Sequence, residues 1–209
     1  GHPGPETCAL ACASMVEFAL AREGDVAAVI AEPMRAVPVV PPPGYWQAVQ
    51  AACRKHGALL IMDEIPTGLG KTGRMFAFDH DGIEPDIVVL GKPMGNGHPI
   101  GAVVCTREIA EVFAKGPEFF SSFGGNPVSC AAGHAVLDAL EEEALPEHAS
   151  AVGKLLKDAL AGLHHVGNGF FQVMLLLMIV ILRDVAAVCG IGIAPVVSGN
   201  EYPGVHGIP

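Results

Sequence analysis

Four short runs of uninterrupted apolar residues organise this chain: VAAVIA at 26–31, ALLIM at 58–62, IVVL at 87–90 and IGAVVC at 100–105. Runs this short, with no polar residue alternating through them, suit strands covered on both faces. A helical stretch at 44–56 lies between the first two, with Gly57 as its stop. Strand, helix, strand with such strands implies parallel pairing through right-handed crossovers. The expected fold class is therefore α/β with a mainly parallel sheet. Further helices are expected at 5–22, from a Thr106 cap to Ala114, from the turn SSFGGNP (121–127) through Glu143, and at 146–163.

Three of the four runs are followed within two residues by an ionisable residue: Glu32, Asp63 and, after Gly91, Lys92. If their strands are parallel neighbours, all three belong to one rim of the sheet, where ligands of open α/β folds collect. A carboxylate and an amine brought to the same rim exceed what burial requires.

Composition narrows the partners. A net charge of −10 over 209 residues argues against nucleic acid, which needs a basic face. With 51% hydrophobic and 16% charged residues, the chain is expected to fold rather than stay disordered. The longest apolar stretch, FFQVMLLLMIVIL at 170–182, is shorter than the roughly 18–20 residues of a membrane span, so no membrane partner is expected. Six cysteines (Cys8, Cys12, Cys53, Cys105, Cys130, Cys189) lack zinc spacing and read as buried thiols of a reducing, cytoplasmic compartment, with no metal. The opening GHPGPETCAL has no basic segment leading into an apolar one, so it is not a secretory leader, and it reads as the middle of a longer chain.

Lys92 sits in LGKPMGNGHP, where Pro93, Gly95 and Gly97 forbid a long helix and imply a tight turn. An amine held at a sheet rim and partly stripped of water is a nucleophile toward an aldehyde. Asp63 is placed to face a cationic ring nitrogen. Together they meet the demand of pyridoxal 5'-phosphate (PLP): a Schiff-base lysine and an acid that keeps the pyridine protonated. Ser121, Ser122, Gly124 and Gly125, ahead of a long helix, offer hydroxyls and N–H groups to the phosphate. His98, six residues after Lys92, reads either as a contact to cofactor or substrate or as a structural residue of the turn. TGLGKT (67–72) looks like an ATPase phosphate loop, but Ile65 stands where that motif needs glycine, and no helix is expected after Thr72.

From about 26 to 163 the sequence resembles the class III, PLP-dependent aminotransferases of fold type I. The resemblance is carried by AEP (31–33), VVPPPGYW (39–46), the long segment 61–104 beginning IMDEIPTGLGKTGRMFAF, and FGGNPVSCAAGHAVLDALEEE (123–143). The wording is most similar to the branch holding alanine–glyoxylate aminotransferase-like proteins and phospho-lyases of ethanolamine phosphate. The resemblance implies that Lys92 is the Schiff-base lysine and Asp63 the partner of the pyridine nitrogen. Ser122 stands where the family usually has a threonine that binds the cofactor phosphate of the neighbouring subunit, with Ser121 beside it, so a homodimer is implied. Glu32 is implied to be a supporting group.

The implied activity is transfer of an amino group from an amino donor to a 2-oxo acid. The alternatives are a phospho-lyase acting on ethanolamine phosphate-like substrates, and a truncated, inactive remnant or dimerisation module. The expected domains are an incomplete PLP-binding large domain at 1–145 and the start of a small C-terminal α+β domain at 146–209. Two departures stand out. Pro66 occupies the place of a family glutamine that approaches the ring's phenolic oxygen, and Val37 that of a glutamate some members use to gate a substrate arginine.

Overall fold

The computed structural model describes residues 5–35 and 39–162, without the side chains of 5–9 and 162. Val37, the apolar run 170–182, Cys189 and the closing segment lie outside the described residues. The chain divides into two compact units, Gly1–Leu155 and Leu156–Pro209, and the first carries the sheet and the site.

Helix α1 (Pro5–Glu23) leads to β1 (Ala28–Ala31), α2 (Tyr45–His56), β2 (Leu59–Asp63), β3 (Ile87–Leu90) and β4 (Ala102–Cys105). Three helices follow: α3 (Arg107–Ala114), α4 (Pro127–Glu142) and α5 (Leu145–Gly162). Local chemistry sets their ends. Gly57 adopts φ 70° and closes α2 by donating its N–H to the carbonyls of Arg54 and Cys53. Thr106 Oγ1 accepts from Ile109 N at the start of α3. Asn126 Oδ1 accepts from Ser129 N at the start of α4, with Pro127 in the first turn, where a missing N–H costs nothing.

The four strands form one sheet in the order β1-β2-β3-β4. β1, β2 and β3 are parallel neighbours, and β4 runs antiparallel to β3. The antiparallel edge has a simple cause. Between Leu90 and Ala102 the chain forms one 3-10 turn and no α-helix, too little to cross back over the sheet.

One face of the sheet carries the core. Leu60 and Met62 of β2 and Val88 and Leu90 of β3 pack with Ala13 and Leu20 of α1 and with Trp46, Val49 and Cys53 of α2. The opposite face, which the apolar runs led one to expect covered, is only partly so among the described residues. Ile30 is level with Ile61, and Val89 with Val103. Ile30 is 63% and Val103 66% exposed. The thiols differ from expectation too: Cys53 is buried, but Cys12 and Cys130 are exposed and Cys105 is half-buried.

Candidate active site

The parallel pairing puts the carboxyl ends of β1, β2 and β3 on one rim. Ala31 is level with Met62, so Glu32 and Asp63 are the next residues of their strands. Asp63 is level with Val89, three residues before Lys92. Neighbouring strands lie about 4.8 Å apart, so the acid and the amine leave the sheet from adjoining tips. The ladder runs one residue further, where Glu64 N donates to Val89 O at 3.0 Å.

Lys92 opens a 3-10 turn, Lys92–Gly95, closed by Met94 N donating to Gly91 O at 3.1 Å. Its φ of 43° is left-handed, a strained choice for a side-chain-bearing residue and one that clusters at functional sites. The tight turn anticipated from Pro93 and the glycines is present. The desolvation anticipated for Lys92 is not, because the residue is exposed. Asp63 is half-buried, and its Oδ1 accepts from Ile65 N at 3.0 Å. That bond orients the carboxylate, and Oδ2 makes no hydrogen bond among the described residues.

Glu64, beside Asp63, is 1% exposed. Its Oε1 accepts from Phe78 N at 3.0 Å and its Oε2 from Thr67 Oγ1 at 2.5 Å. Its carbonyl accepts from Thr67 N and Gly68 N. One buried carboxylate thus gathers both ends of the loop from 64 to 78. Burial pushes the Glu64 carboxyl above its ordinary value, and the bonds from Thr67, Phe78 and Ala77 pull the other way. This loop contains TGLGKT. Only the 3-10 turn Ala77–His80 follows Thr72, so the helix that a nucleotide loop requires is missing.

Lys71, on the same loop, donates from Nζ to Pro66 O at 3.2 Å. Burial lowers its ammonium below the ordinary lysine value, and the charge of Lys92 lowers it further. Two amines therefore share this neighbourhood. Pro66 offers only its carbonyl where the family resemblance leads one to expect an amide side chain.

The serine segment stands apart from the rim in sequence but leads into α4. Ser121 and Ser122 are exposed, and Ser121 Oγ accepts from Gly124 N at 3.0 Å. His98 Nε2 lies 2.8 Å from Ser129 Oγ, on the first turn of α4. Of the two readings of His98, the structural tie is the one with a partner on view.

Glu32 is exposed and lines an apolar cleft of about 460 Å³ with Met34, Pro42, Tyr45 and Trp46. Trp46 Nε1 donates to Pro33 O at 3.0 Å, which fixes the chain just after Glu32. A larger cleft of about 830 Å³ lies between the loop at Gly73–His80 and the α4–α5 junction. None of Asp63, Lys92, Ser121 and Ser122 lines it. Among the described residues, no cluster of His, Cys, Asp and Glu is fit to hold a metal ion.

Glu64, Lys71, Asn126 and Ser129 were not singled out from the sequence. Asn126-Pro127 carries a legible helix-start signal. Glu64 and Ser129 each have a local partner three residues away, but their bonds to Phe78 and His98 span fourteen and 31 residues and leave no local trace.

Comparison with known proteins gives a consistent result. Residues 5–180 match the family model "Aminotransferase class-III". Over 141 residues the chain is 48% identical to an alanine–glyoxylate aminotransferase 2-like protein of Drosophila melanogaster, covering 66% of this chain and 28% of that protein. The ornithine aminotransferase of Toxoplasma gondii, a structure with partial PLP occupancy at its active site, is 38% identical with a TM-score of 0.69. It covers 74% of this chain, which spans 37% of it. An (S)-enantioselective omega-transaminase from Thermomicrobium roseum is 40% identical with a TM-score of 0.67, covering 73% of this chain and 36% of that one.

Proposed function

The chain belongs to the class III aminotransferases, and from that premise we propose that it carries the catalytic rim of a PLP-dependent transaminase. The observation that carries the reading is the placement of Asp63 and Lys92 at the carboxyl ends of adjacent parallel strands, on one rim. The donor set fits the cofactor's ring: an exposed primary amine for the aldehyde carbon, and an oriented carboxylate whose second oxygen has no hydrogen-bond partner among the described residues for the ring nitrogen.

When bound, PLP supplies an electron sink for the charge that develops at the substrate's Cα. The protein's own part is positional and acid–base. Lys92 Nζ would hold the cofactor through its aldehyde group, and as a free amine it would be the base placed to move the proton at the substrate's Cα. Asp63 Oδ2 holds the ring-nitrogen proton in place. Lys71 adds positive charge beside Lys92, which favours an anionic substrate or cofactor group there. Ser121 and Ser122 are assigned to the phosphate, Ser122 to that of the neighbouring subunit, and a homodimer follows from that assignment. Substrates are an amino donor and a 2-oxo acid. The exposed Cys130 thiol suits a reducing, cytoplasmic setting.

The test is an absorbance titration of the full chain with PLP, followed by borohydride reduction and mapping of the marked residue. A visible band trapped on Lys92 and lost in Lys92→Ala is expected. A band that persists in Lys92→Ala removes the lysine assignment. With ethanolamine phosphate, release of phosphate rather than conversion of its amine-bearing carbon to an aldehyde, with the amino group passed to an added 2-oxo acid, would favour lyase chemistry on the same rim.

A further inference from the structure

His98 and Ser129 are 31 residues apart in the chain and 2.8 Å apart in space. The bond joins the turn that carries Lys92 to the helix that follows the serine segment. His98 closes the Lys92 turn, its N–H donating to Gly95 O at 2.9 Å, next to the bond from Asn96 N to Pro93 O. Ser129 belongs to the first turn of α4. Its hydroxyl accepts from Asn126 Nδ2 at 2.8 Å, and the same amide nitrogen donates to Phe123 O at 2.8 Å. Phe123 directly follows Ser122. A continuous chain of hydrogen bonds therefore runs from the lysine turn through His98, Ser129 and Asn126 to the serine segment.

The valences close. A serine hydroxyl has one proton and two lone pairs. With one lone pair taken by Asn126, it still has a proton or a lone pair for His98 Nε2. The surrounding shape supports the approach. A Cβ on Gly95 would stand 2.7 Å from Ile100 Cγ2 and 3.2 Å from His98 Cβ, so the turn stays tight only with glycine there. On the α4 side, a Cβ on Gly133 would stand 3.4 Å from Ile100 Cδ1, ordinary van der Waals contact, so that helix lies directly against the turn.

We propose that the His98–Ser129 pair is a latch that holds the Lys92 turn, which serves this chain's own cofactor site, against the head of α4, whose preceding segment carries the Ser122 assigned to the neighbouring subunit's site. His98 is then a positioning residue, its Nε2 spent on Ser129. The consequence for cofactor binding rests on the aminotransferase reading, but the latch does not.

The experiment uses the full chain. Amide hydrogen exchange of residues 92–98 is measured without PLP in the wild type, His98→Ala, Ser129→Ala, the double variant, His98→Gln and the control His134→Ala, an exposed histidine of α4. Exchange is expected to rise about fivefold in each alanine variant, the effect of one net hydrogen bond, and no further in the double variant. His98→Gln, whose side-chain amide replaces Nε2, and His134→Ala should keep wild-type exchange. Half-saturation by PLP should rise about fivefold in the two alanine variants, with borohydride still marking Lys92. Should an alanine variant fail to fold, His98→Asn, too short to reach Ser129, is compared with His98→Gln and is expected to behave as the loss.

Unchanged exchange in His98→Ala, or additive effects in the double variant, overturns the latch. The expected exchange pattern with no visible band in the wild type supports the latch and counts against the aminotransferase reading instead.

Discussion

Glu64 accepts a hydrogen bond from the backbone N–H of Phe78, fourteen residues further along, at 3.0 Å. Everything between them is loop and turn, including Thr67, which the same carboxylate also binds. The segment that borders Asp63 on one side and carries Lys71 therefore depends on one buried acid. The acidity of that group has a consequence for stability.

Burial raises the Glu64 carboxyl above its ordinary value of 4.5. A group whose folded-state pKa is raised contributes stability that is fully present below the unfolded value and is lost as pH rises through the folded one. Glu64→Gln removes that titration. The melting temperature of the variant relative to wild type should therefore climb as pH rises from below about 4.5 toward neutrality. Glu64→Ala should instead destabilise at every pH, by about 1–3 kcal/mol, because Phe78 N–H is left buried without a partner. Thermal unfolding followed across pH checks both, and a flat difference for Glu64→Gln would contradict the first.

Asp63→Asn separates binding from folding. The asparagine Oδ1 still accepts from Ile65 N, so the local turn survives and unfolding should shift by less than about 0.5 kcal/mol. The charge-assisted bond assigned to Oδ2 is lost. Half-saturation by PLP should rise about tenfold to a hundredfold, corresponding to roughly 1.5–3 kcal/mol. Equal affinity in wild type and variant would remove Asp63 from the site.

The loop's close approach to α5 rests on Gly73. Its φ is 88°, and a Cβ there would lie 2.9 Å from Ser150 Cβ. Gly82 shares the left-handed backbone, at φ 62°, but faces open space. Gly82→Ala should cost about 1–2 kcal/mol for the backbone alone. Gly73→Ala adds an overlap with a helix and should cost about 1–3 kcal/mol more. Denaturant unfolding of the two variants compares them directly.

Much of the fold was legible in the residues. The four apolar runs became the four strands, and Gly57, Thr106 and the Asn126-Pro127 pair end or open helices where their chemistry says they should. Asp63 and Lys92 share a rim because Asp63 directly follows one apolar run, Lys92 follows another by one residue, and the two runs pair in parallel. Where the reading fell short, the missing information was not local. An apolar run does not say which of its faces is covered, and Ile30 and Val103 stay largely exposed among the described residues.

What the sequence determined by itself was the set of elements, their ends, and the delivery of an acid and an amine to one edge. Each of these depends on a residue and its neighbours within a turn or so. Only the tertiary structure decided which face of the sheet is covered, the bond from Phe78 to Glu64, and the tie from His98 to Ser129. Those depend on where remote segments meet, and a hydrogen bond spanning fourteen or 31 residues is fixed by packing rather than by any spacing a reader can count.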